Sequence, residues 1–107
     1  MTTALITGVE GFTGRYLTDE LVRRGYRVTG IGLRPKPTNV PLEYYEQVDL
    51  LDSEATSQAI KTIQPHIVFH LAGISHVQSS PEVIYRINVV ASRNLLAALA
   101  GMDTPPV

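Results

Sequence analysis

The stretch Thr7-Gly8-Val9-Glu10-Gly11-Phe12-Thr13-Gly14 decides the fold of this 107-residue chain. A short apolar segment, residues 3–7, precedes the glycines, and residues 15–25, with apolar side chains at helical spacing, follow them. The order of strand, glycine turn and helix is typical of a site that binds a phosphate group. The free N–H groups and the positive dipole end of the helix would then face the anion.

Each of the three glycines has a physical reason in this interpretation. Gly8 can take a positive φ angle and make the tight exit from the strand. Gly11 has no Cβ atom, which would let a pyrophosphate approach the backbone, and Gly14 lets the helix pack closely on the strand. A kinase-type phosphate loop is disfavoured, because no Gly-Lys-Ser/Thr sequence follows the glycines. An ordinary turn before a helix is the alternative.

The composition is that of a folded domain without a nucleic-acid or membrane partner. Hydrophobic residues make up 44% and charged residues 18% of the chain, and the formal net charge is −1. Such a balance gives no electrostatic case for nucleic acid or an anionic membrane. The chain has no cysteine, which excludes disulfides, thiol catalysis and cysteine-ligated metals. We expect a cytoplasmic protein, since neither a signal peptide nor a membrane-length apolar run is visible.

The rest of the chain alternates between strand and helix. Three further strands are predicted over residues 27–32, 42–48 and 66–71. A helix capped by Asp52 or Ser53 is predicted to run to about Ile63, and one capped by Ser80 to about Ala100. This alternation predicts a partial doubly wound α/β domain, with a parallel sheet of about four strands and helices on both faces. Ligands of such sheets bind at the carboxyl edge of the strands.

The glycine pattern Thr-Gly-x-x-Gly-Phe-x-Gly resembles the signature of the extended branch of the short-chain dehydrogenase/reductase superfamily, the NAD-dependent epimerase/dehydratase family. That branch has a Rossmann-type fold and includes nucleotide-sugar epimerases, dehydratases and 4-keto reductases. The resemblance implies a dinucleotide site that includes Gly8, Gly11, Phe12, Thr13 and Gly14. Members of the branch are much longer, so we expect residues 1–107 to be the N-terminal part of the cofactor-binding domain, without the substrate domain.

The end of the second strand indicates which nicotinamide cofactor is bound. NAD-binding turns of this kind carry an Asp or Glu there, about 20 residues beyond the glycines, to hold the ribose hydroxyls. This chain has Gly32 or Leu33 at that position, and no acid lies between Glu20 and Glu43. Arg34 follows directly and could pair with a 2′-phosphate. We therefore expect NADP rather than NAD, with an ordinary solvated arginine as the alternative for that side chain.

Two later segments resemble parts of the same cofactor site. Asp49-Leu50 follows the third strand, where an Asp-Leu or Asp-Val pair contacts the adenine in the family, and a turn or cap aspartate is the alternative. Leu71-Ala72-Gly73 resembles the family's segment after the fourth strand, whose small residues let the backbone pass close to the cofactor. His70, which precedes this segment, is expected to point inward or to pack against other residues.

The loop after the fourth strand is expected to border the substrate. Gly-x-Ser-His-Val, which ends at Val77, is similar to a segment of GDP-mannose 4,6-dehydratases, so Ser75 and His76 are candidate substrate contacts. A surface-loop histidine is the alternative for the second of these. His66 and His70 are not a metal pair, because four residues along a strand span roughly 13 Å. No other metal-ligand spacing is present in the sequence.

The last predicted helix contains residues 88–96, which resemble the family pattern Asn-Val-x-Gly-Thr-x-Asn-Leu-Leu. Ala91 and Ser92 replace the Gly-Thr pair. The family often dimerises through helices that include this one, so its apolar stripe is consistent with either a dimer contact or the core. A homodimer of the longer protein is therefore one expected arrangement.

The resemblance also defines what these 107 residues do not contain. The family moves protons with a Tyr-x-x-x-Lys pair and a Ser or Thr, and none of the five tyrosines has a lysine four residues on. No catalytic residue is therefore assigned. The expected parent is an NADP-dependent nucleotide-sugar enzyme like GDP-mannose 4,6-dehydratase, a lyase. The alternatives are a GDP-4-keto-6-deoxymannose reductase or another epimerase or reductase, a non-catalytic NADP-binding module, and a piece without retained affinity.

Overall fold

The computed structural model of the chain describes residues 2–9, 11–72 and 81–107. Strands and helices alternate within them, except that the second and third strands follow each other without a helix between them. The elements are β1 (Thr3–Thr7), α1 (Phe12–Arg23), β2 (Arg27–Gly32), β3 (Tyr44–Gln47), α2 (Ser53–Ile63), β4 (Ile67–His70) and α3 (Pro81–Ala100). The strands form one parallel sheet in the order β3-β2-β1-β4. The predicted α/β class and the four parallel strands are therefore confirmed.

Two strands are shorter than the sequence predicts. β3 and β4 are each four residues long, against the predicted residues 42–48 and 66–71. The flanks nevertheless stay bonded to the neighbouring strand, as where the N–H group of Leu71 donates to the carbonyl oxygen of Thr7 at 3.1 Å. The placement of the strands thus follows the prediction, and only their boundaries differ.

α1 begins at Phe12, ahead of the predicted residues 15–25. Gly11 is its N-cap residue, so the last glycine of the turn, Gly14, lies inside the first helical turn. Glycine is a poor helix former, which is why the sequence suggested a later start. A position in the first turn still suits it here, because its close packing on the preceding turn leaves no room for a Cβ atom. Gly25, with φ of 91°, follows the end of the helix.

The start of α2 follows the predicted capping chemistry. The side chain of Asp52 accepts hydrogen bonds from the N–H groups of Glu54 and Ala55, which stabilises the start of α2. Of the two predicted caps, the first is therefore correct. α3 begins at Pro81, and the cap predicted at Ser80 lies outside the described residues.

Helices cover both faces of the sheet, because successive residues of a strand point to opposite sides. On the α1 face the buried cluster consists of Ala4, Ile6, Val9, Leu21, Val28 and Leu42. On the face of α2 and α3 it consists of Leu5, Ile31, Val48, Leu50, Ala59, Ile60, Leu95 and Leu99. This is the two-sided burial expected of a parallel sheet. None of the helices in the described residues combines the length and the apolar character needed to cross a membrane.

The outer edge of β4 is bonded by the last residue of the chain. The N–H group of Val107 donates to the carbonyl oxygen of His66 at 3.1 Å, and its own carbonyl oxygen accepts from Val68 at 2.9 Å. The chain thus returns from α3 to the sheet and adds one bonded residue beside β4.

Candidate functional site

The register of the sheet brings the ends of three strands together. Thr7, the last residue of β1, pairs with Ile31 of β2 on one side and with His70, the last residue of β4, on the other. Because the strands are parallel, the segments that follow them leave from the same edge. The glycine turn, the loop that contains Arg34 and the segment that begins at Leu71 therefore all start at the carboxyl edge of the sheet.

Gly8 makes the turn out of β1 and could not carry a side chain. Its φ is +75°, a conformation that glycine adopts at no steric cost. Its N–H group donates to the carbonyl oxygen of Ile31 at 3.1 Å. A Cβ atom on this glycine would lie 2.7 Å from the backbone nitrogen of Ala72. The turn after β1 and the segment after β4 are thus in direct backbone contact.

Gly14 is required by packing as well, but Gly11 is not. A Cβ atom on Gly14 would lie 2.5 Å from the carbonyl oxygen of Gly8. Gly11 has an extended backbone, with φ of −78° and ψ of 170°, that any residue adopts. A Cβ atom there would meet no described atom closer than that same carbonyl oxygen, at 3.5 Å. Nothing in the described fold therefore demands a glycine at the middle position of the turn.

The start of α1 presents N–H groups that lack the partners helices often have. In the described part of the chain no side chain caps the helix at Gly11, and the first turn contains no acidic residue. Phe12 is 86% exposed, and Thr13 is exposed beside it. The first N–H groups of a helix have no acceptor within the helix and carry its positive dipole end. An anion is the chemical group that this position suits.

The loop after β2 holds Arg34 at the carboxyl edge. Two side chains of β3 bond to its backbone: Gln47 donates to the carbonyl oxygen of Leu33 at 3.1 Å, and the hydroxyl of Tyr45 donates to that of Arg34. Arg34 is exposed. These two anchors could not be predicted, because an alternating strand pattern does not show which polar side chains reach a neighbouring loop.

The residues after β3 have roles inside the chain. The exposed carboxylate of Asp49 accepts the N–H group of Leu51 at 3.0 Å, which is the turn geometry named as its alternative. Leu50 is 7% exposed and belongs to the core. Its carbonyl oxygen accepts a hydrogen bond from the side chain of Asn94 on α3 at 2.8 Å. The adenine contact predicted for Asp49 and Leu50 stays a prediction.

After β4 the structure describes Leu71 and Ala72 and then the residues from Pro81 onward. Leu71 is 40% exposed, and the backbone of Ala72 lies against the glycine turn. The predicted cofactor contact Gly73 and the predicted substrate contacts Ser75 and His76 lie outside the described residues.

His70 lies at an exposed position, which corrects the expectation that it would point inward or pack. Its ring instead makes hydrogen bonds on both sides. Its Nδ1 atom is 2.6 Å from the hydroxyl oxygen of Thr7, and its Nε2 atom is 2.9 Å from that of Ser92 on α3. The physical reason is its place at the end of an edge strand, where one side stays open. Partial burial of the ring lowers the pKa of His70 below its ordinary value.

The other titratable groups do not form a second reactive cluster in the part of the chain that the structure describes. His66 accepts the N–H group of Thr3 at 2.9 Å, at the opposite edge of the sheet from the glycine turn. No group of three potential metal ligands occurs among the described residues. A hydrogen bond to Glu46, with smaller contributions from desolvation and that carboxylate's charge, raises the pKa of Tyr44. An activated tyrosine needs the opposite shift.

Sequence comparison relates the chain to one family over nearly its whole length. A family profile described as the NAD dependent epimerase/dehydratase family matches residues 4–105. Methionine adenosyltransferase 2 subunit beta of Xenopus laevis is 36% identical over 103 residues, which cover 92% of this chain and 29% of that protein. GDP-mannose 4,6 dehydratase 2 of Caenorhabditis elegans is 33% identical over 115 residues, covering 90% of this chain and 30% of that enzyme. The chain thus spans less than a third of these relatives.

Solved structures with the same fold give a matching result. A protein of Burkholderia cenocepacia J2315 considered to be an epimerase superposes with a TM-score of 0.86 at 39% identity, covering 98% of this chain and 35% of that one. UDP-glucose 4-epimerase of Thermus thermophilus, solved in complex with NAD, superposes with a TM-score of 0.76 at 29% identity. That match covers 91% of this chain and 33% of the epimerase. The fold and the family point to a nicotinamide cofactor.

Proposed function

We propose, because the chain belongs to the NAD dependent epimerase/dehydratase family, that its glycine turn binds the pyrophosphate of a nicotinamide dinucleotide. The observation that carries the proposal is the difference between the glycines. Gly8 and Gly14 are required by the chain's own packing, whereas Gly11 has an ordinary backbone conformation, and a Cβ atom there would make only an ordinary contact, at 3.5 Å, among the described residues. A glycine that the fold does not require, at the N-terminus of a helix, is explained by a ligand that approaches the backbone.

The test compares two alanine substitutions made in similar surroundings. Gly11→Ala places a methyl group where the pyrophosphate would lie, whereas Gly101→Ala places one after α3, where the nearest atom is likewise 3.5 Å away. We expect Gly11→Ala to raise the Kd for NADPH by about tenfold or more, a loss of about 1.4 kcal/mol. Gly101→Ala should leave the Kd unchanged. Equal affinities of both variants and the unmodified chain, measured by calorimetric titration, would refute the proposal.

The preferred cofactor in this proposal is NADP. Its support is the exposed Arg34, in a loop whose backbone accepts hydrogen bonds from two β3 side chains, together with the lack of an acid between Glu20 and Glu43 in the sequence. A guanidinium can pair with a 2′-phosphate, and no carboxylate of that segment opposes it. Arg34→Gln should reduce the preference for NADPH over NADH, whereas Lys61→Gln, at the far end of α2, should not. Equal affinity of the unmodified chain for both cofactors would remove this part of the proposal.

The reaction proposed for the whole protein is that of an NADP-dependent nucleotide-sugar dehydratase, of the GDP-mannose 4,6-dehydratase kind. Its support is the similarity to the Caenorhabditis elegans dehydratase and the Gly-x-Ser-His-Val segment. Such a dehydratase forms a 4-keto sugar from GDP-mannose without net consumption of NADPH. A GDP-4-keto-6-deoxymannose reductase would consume NADPH and the keto sugar instead. Incubation of the whole protein with GDP-mannose, followed by product analysis, separates the two, and the absence of a keto product would exclude the dehydratase.

A non-catalytic, nucleotide-binding subunit is the second candidate. The similarity to methionine adenosyltransferase 2 subunit beta, at 36% identity over 92% of the chain, favours it. This candidate predicts tight NADPH binding, no turnover of a GDP-sugar, and co-elution of the whole protein with a methionine adenosyltransferase catalytic subunit. Turnover without co-elution would refute it.

A further inference from the structure

A chain of hydrogen bonds links three elements behind the glycine turn. The N–H group of Ala72 donates to the hydroxyl oxygen of Thr7 at 3.1 Å, and that oxygen is 2.6 Å from Nδ1 of His70. The Nε2 atom of the same ring is 2.9 Å from the hydroxyl oxygen of Ser92. These hydrogen bonds therefore connect the segment after β4 to the end of β1, the end of β1 to the end of β4, and the end of β4 to α3.

The chemistry of the groups assigns a direction to these bonds. A hydroxyl group has one proton to donate, and an amide N–H group can only donate. The Thr7 hydroxyl therefore accepts from Ala72 and has its proton available for Nδ1 of His70. A neutral ring that accepts at Nδ1 carries its proton on Nε2, which then donates to Ser92. The lowered pKa of His70 is consistent with a neutral ring.

The backbone of Ala72, which these hydrogen bonds hold, is part of the proposed cofactor site. Ala72 lies so close to Gly8 that a Cβ atom on that glycine would be 2.7 Å from its nitrogen. The carbonyl oxygen of Gly8 in turn lies against Gly14, in the first turn of α1. A shift of Ala72 would therefore be passed to the glycine turn, because close-packed backbones cannot absorb it.

We propose that His70 is a positioning residue for the dinucleotide: it orients the Thr7 hydroxyl, which holds the Ala72 backbone against Gly8. The proposal rests on the proposed function of the glycine turn and adds a residue that the sequence pattern did not assign to the site. Ser92 fixes the far side of the ring and has a weaker effect on affinity, since it is one bond further from Ala72.

Two conservative substitutions separate the two sides of the ring. In His70→Asn the amide oxygen can take the place of Nδ1 and accept from Thr7. In His70→Gln the amide nitrogen can take the place of Nε2 and donate to Ser92, but nothing is left to accept from Thr7. The matched controls are His66→Asn and His66→Gln, because His66 also bonds through Nδ1 but at the opposite edge of the sheet.

The readout is the Kd of the whole 107-residue chain for NADPH, measured by calorimetric titration. We expect His70→Gln to raise the Kd about three- to tenfold, the effect of one lost hydrogen bond, and His70→Asn to restore most of the affinity. Both His66 variants should bind as the unmodified chain does. Equal affinities of both His70 variants, whether unchanged or reduced alike, would overturn the positioning role while leaving the proposed function intact.

A second measurement does not depend on the cofactor. The ¹⁵N chemical shifts of His70 should show an unprotonated Nδ1 and a protonated Nε2 near neutral pH. The opposite tautomer would overturn the inference even if NADPH binds. If the unmodified chain binds no nicotinamide nucleotide at all, the proposed function fails first and the inference fails with it.

Discussion

At the scale of the residue, the three glycines of the turn motif are glycines for different physical reasons. Gly8 needs its positive φ and its contact with Ala72, and Gly14 needs its contact with Gly8. Gly11 needs neither. The sequence already gives each glycine its own reason: the turn for Gly8, the approach of a ligand for Gly11 and helix packing for Gly14. The three-dimensional contacts add what spacing does not show, namely that Ala72 lies beside Gly8 and the carbonyl oxygen of Gly8 beside Gly14.

The difference predicts unequal losses of stability within one motif. Gly14→Ala should lower the free energy of unfolding by about 1–3 kcal/mol, because the new Cβ overlaps the carbonyl oxygen of Gly8. Gly8→Ala should cost more, about 2–4 kcal/mol, since it adds the strain of a positive φ. Gly11→Ala should change it by less than about 1 kcal/mol. Urea denaturation measures all three, and a Gly11 variant as unstable as the Gly14 variant would contradict the assignment.

His70 should make stability depend on pH in a defined direction. Its pKa is lowered in the folded chain, so the unfolded chain binds more protons below its ordinary value of about 6.5. The stabilisation is therefore complete above about pH 6.5 and is lost as the pH falls toward the folded pKa. Among the described residues, the groups bonded to the ring are the hydroxyls of Thr7 and Ser92.

The measurement is the difference in unfolding free energy between the unmodified chain and His70→Asn across about pH 5–8. Taking a difference cancels the titration of carboxylates and of His66. The unmodified chain should lose stability relative to the variant as the pH falls below about 6.5. A flat difference, or a gain in stability on acidification, would show that the ring is not held in its neutral form.

At the scale of the element, α3 fixes two segments of the carboxyl edge. Ser92 bonds to His70 at the end of β4, and Asn94 bonds to the carbonyl oxygen of Leu50 after β3. Both side chains fall in the part of α3 that resembles the family pattern Asn-Val-x-Gly-Thr-x-Asn-Leu-Leu. The sequence predicted the helix and its apolar stripe, but periodicity identifies the buried face and not the acceptors that polar residues reach.

The Asn94 bond predicts a local cost. Asn94→Ala should lower the free energy of unfolding by about 1–2 kcal/mol, because the part-buried carbonyl oxygen of Leu50 loses its donor. The neighbouring Arg93 is exposed, so Arg93→Ala should change it by less than about 0.5 kcal/mol. Thermal or urea unfolding of the two variants measures the difference. Similar losses in both would mean that the bond to Leu50 contributes nothing.

Boundaries were the least predictable feature of the elements. β2 and α2 match the predicted residues, because clear turn residues or a capping aspartate mark their ends. α1 was placed too late and β3 too long. In both cases the predicted element type was correct, but a tertiary contact set the boundary. For α1 that contact is the tight packing of Gly14 on Gly8. For β3 it is the pairing with a single neighbouring strand at the edge of the sheet.

At the scale of the whole molecule, the fold class followed from the alternation of strand and helix and from the glycine turn. The strand order β3-β2-β1-β4 places that turn between the segments after β2 and β4, as a doubly wound sheet requires. The cofactor and the reaction do not follow from this alternation of strand and helix. They depend on single exposed side chains such as Arg34, which contribute nothing to the packing of the core.

Binding at this edge should stabilise the whole fold. A ligand that binds only the folded chain adds RT ln(1 + [L]/Kd), or about 2.7 kcal/mol at a hundredfold excess over Kd. For a domain of this size each kcal/mol raises Tm by about 4–8 °C. NADPH at that excess should therefore raise Tm clearly, and by much less in Gly11→Ala at the same concentration. An equal rise in both proteins would place the nucleotide somewhere other than the glycine turn.

The most direct test of the central claim is calorimetric titration of NADPH into the unmodified chain and into Gly11→Ala, with Gly101→Ala as the control. The account predicts saturable binding at one site in the unmodified chain and in Gly101→Ala, and a Kd raised about tenfold or more in Gly11→Ala. Absence of binding to the unmodified chain, or the same Kd in all three proteins, would contradict the assignment of the glycine turn as the cofactor site.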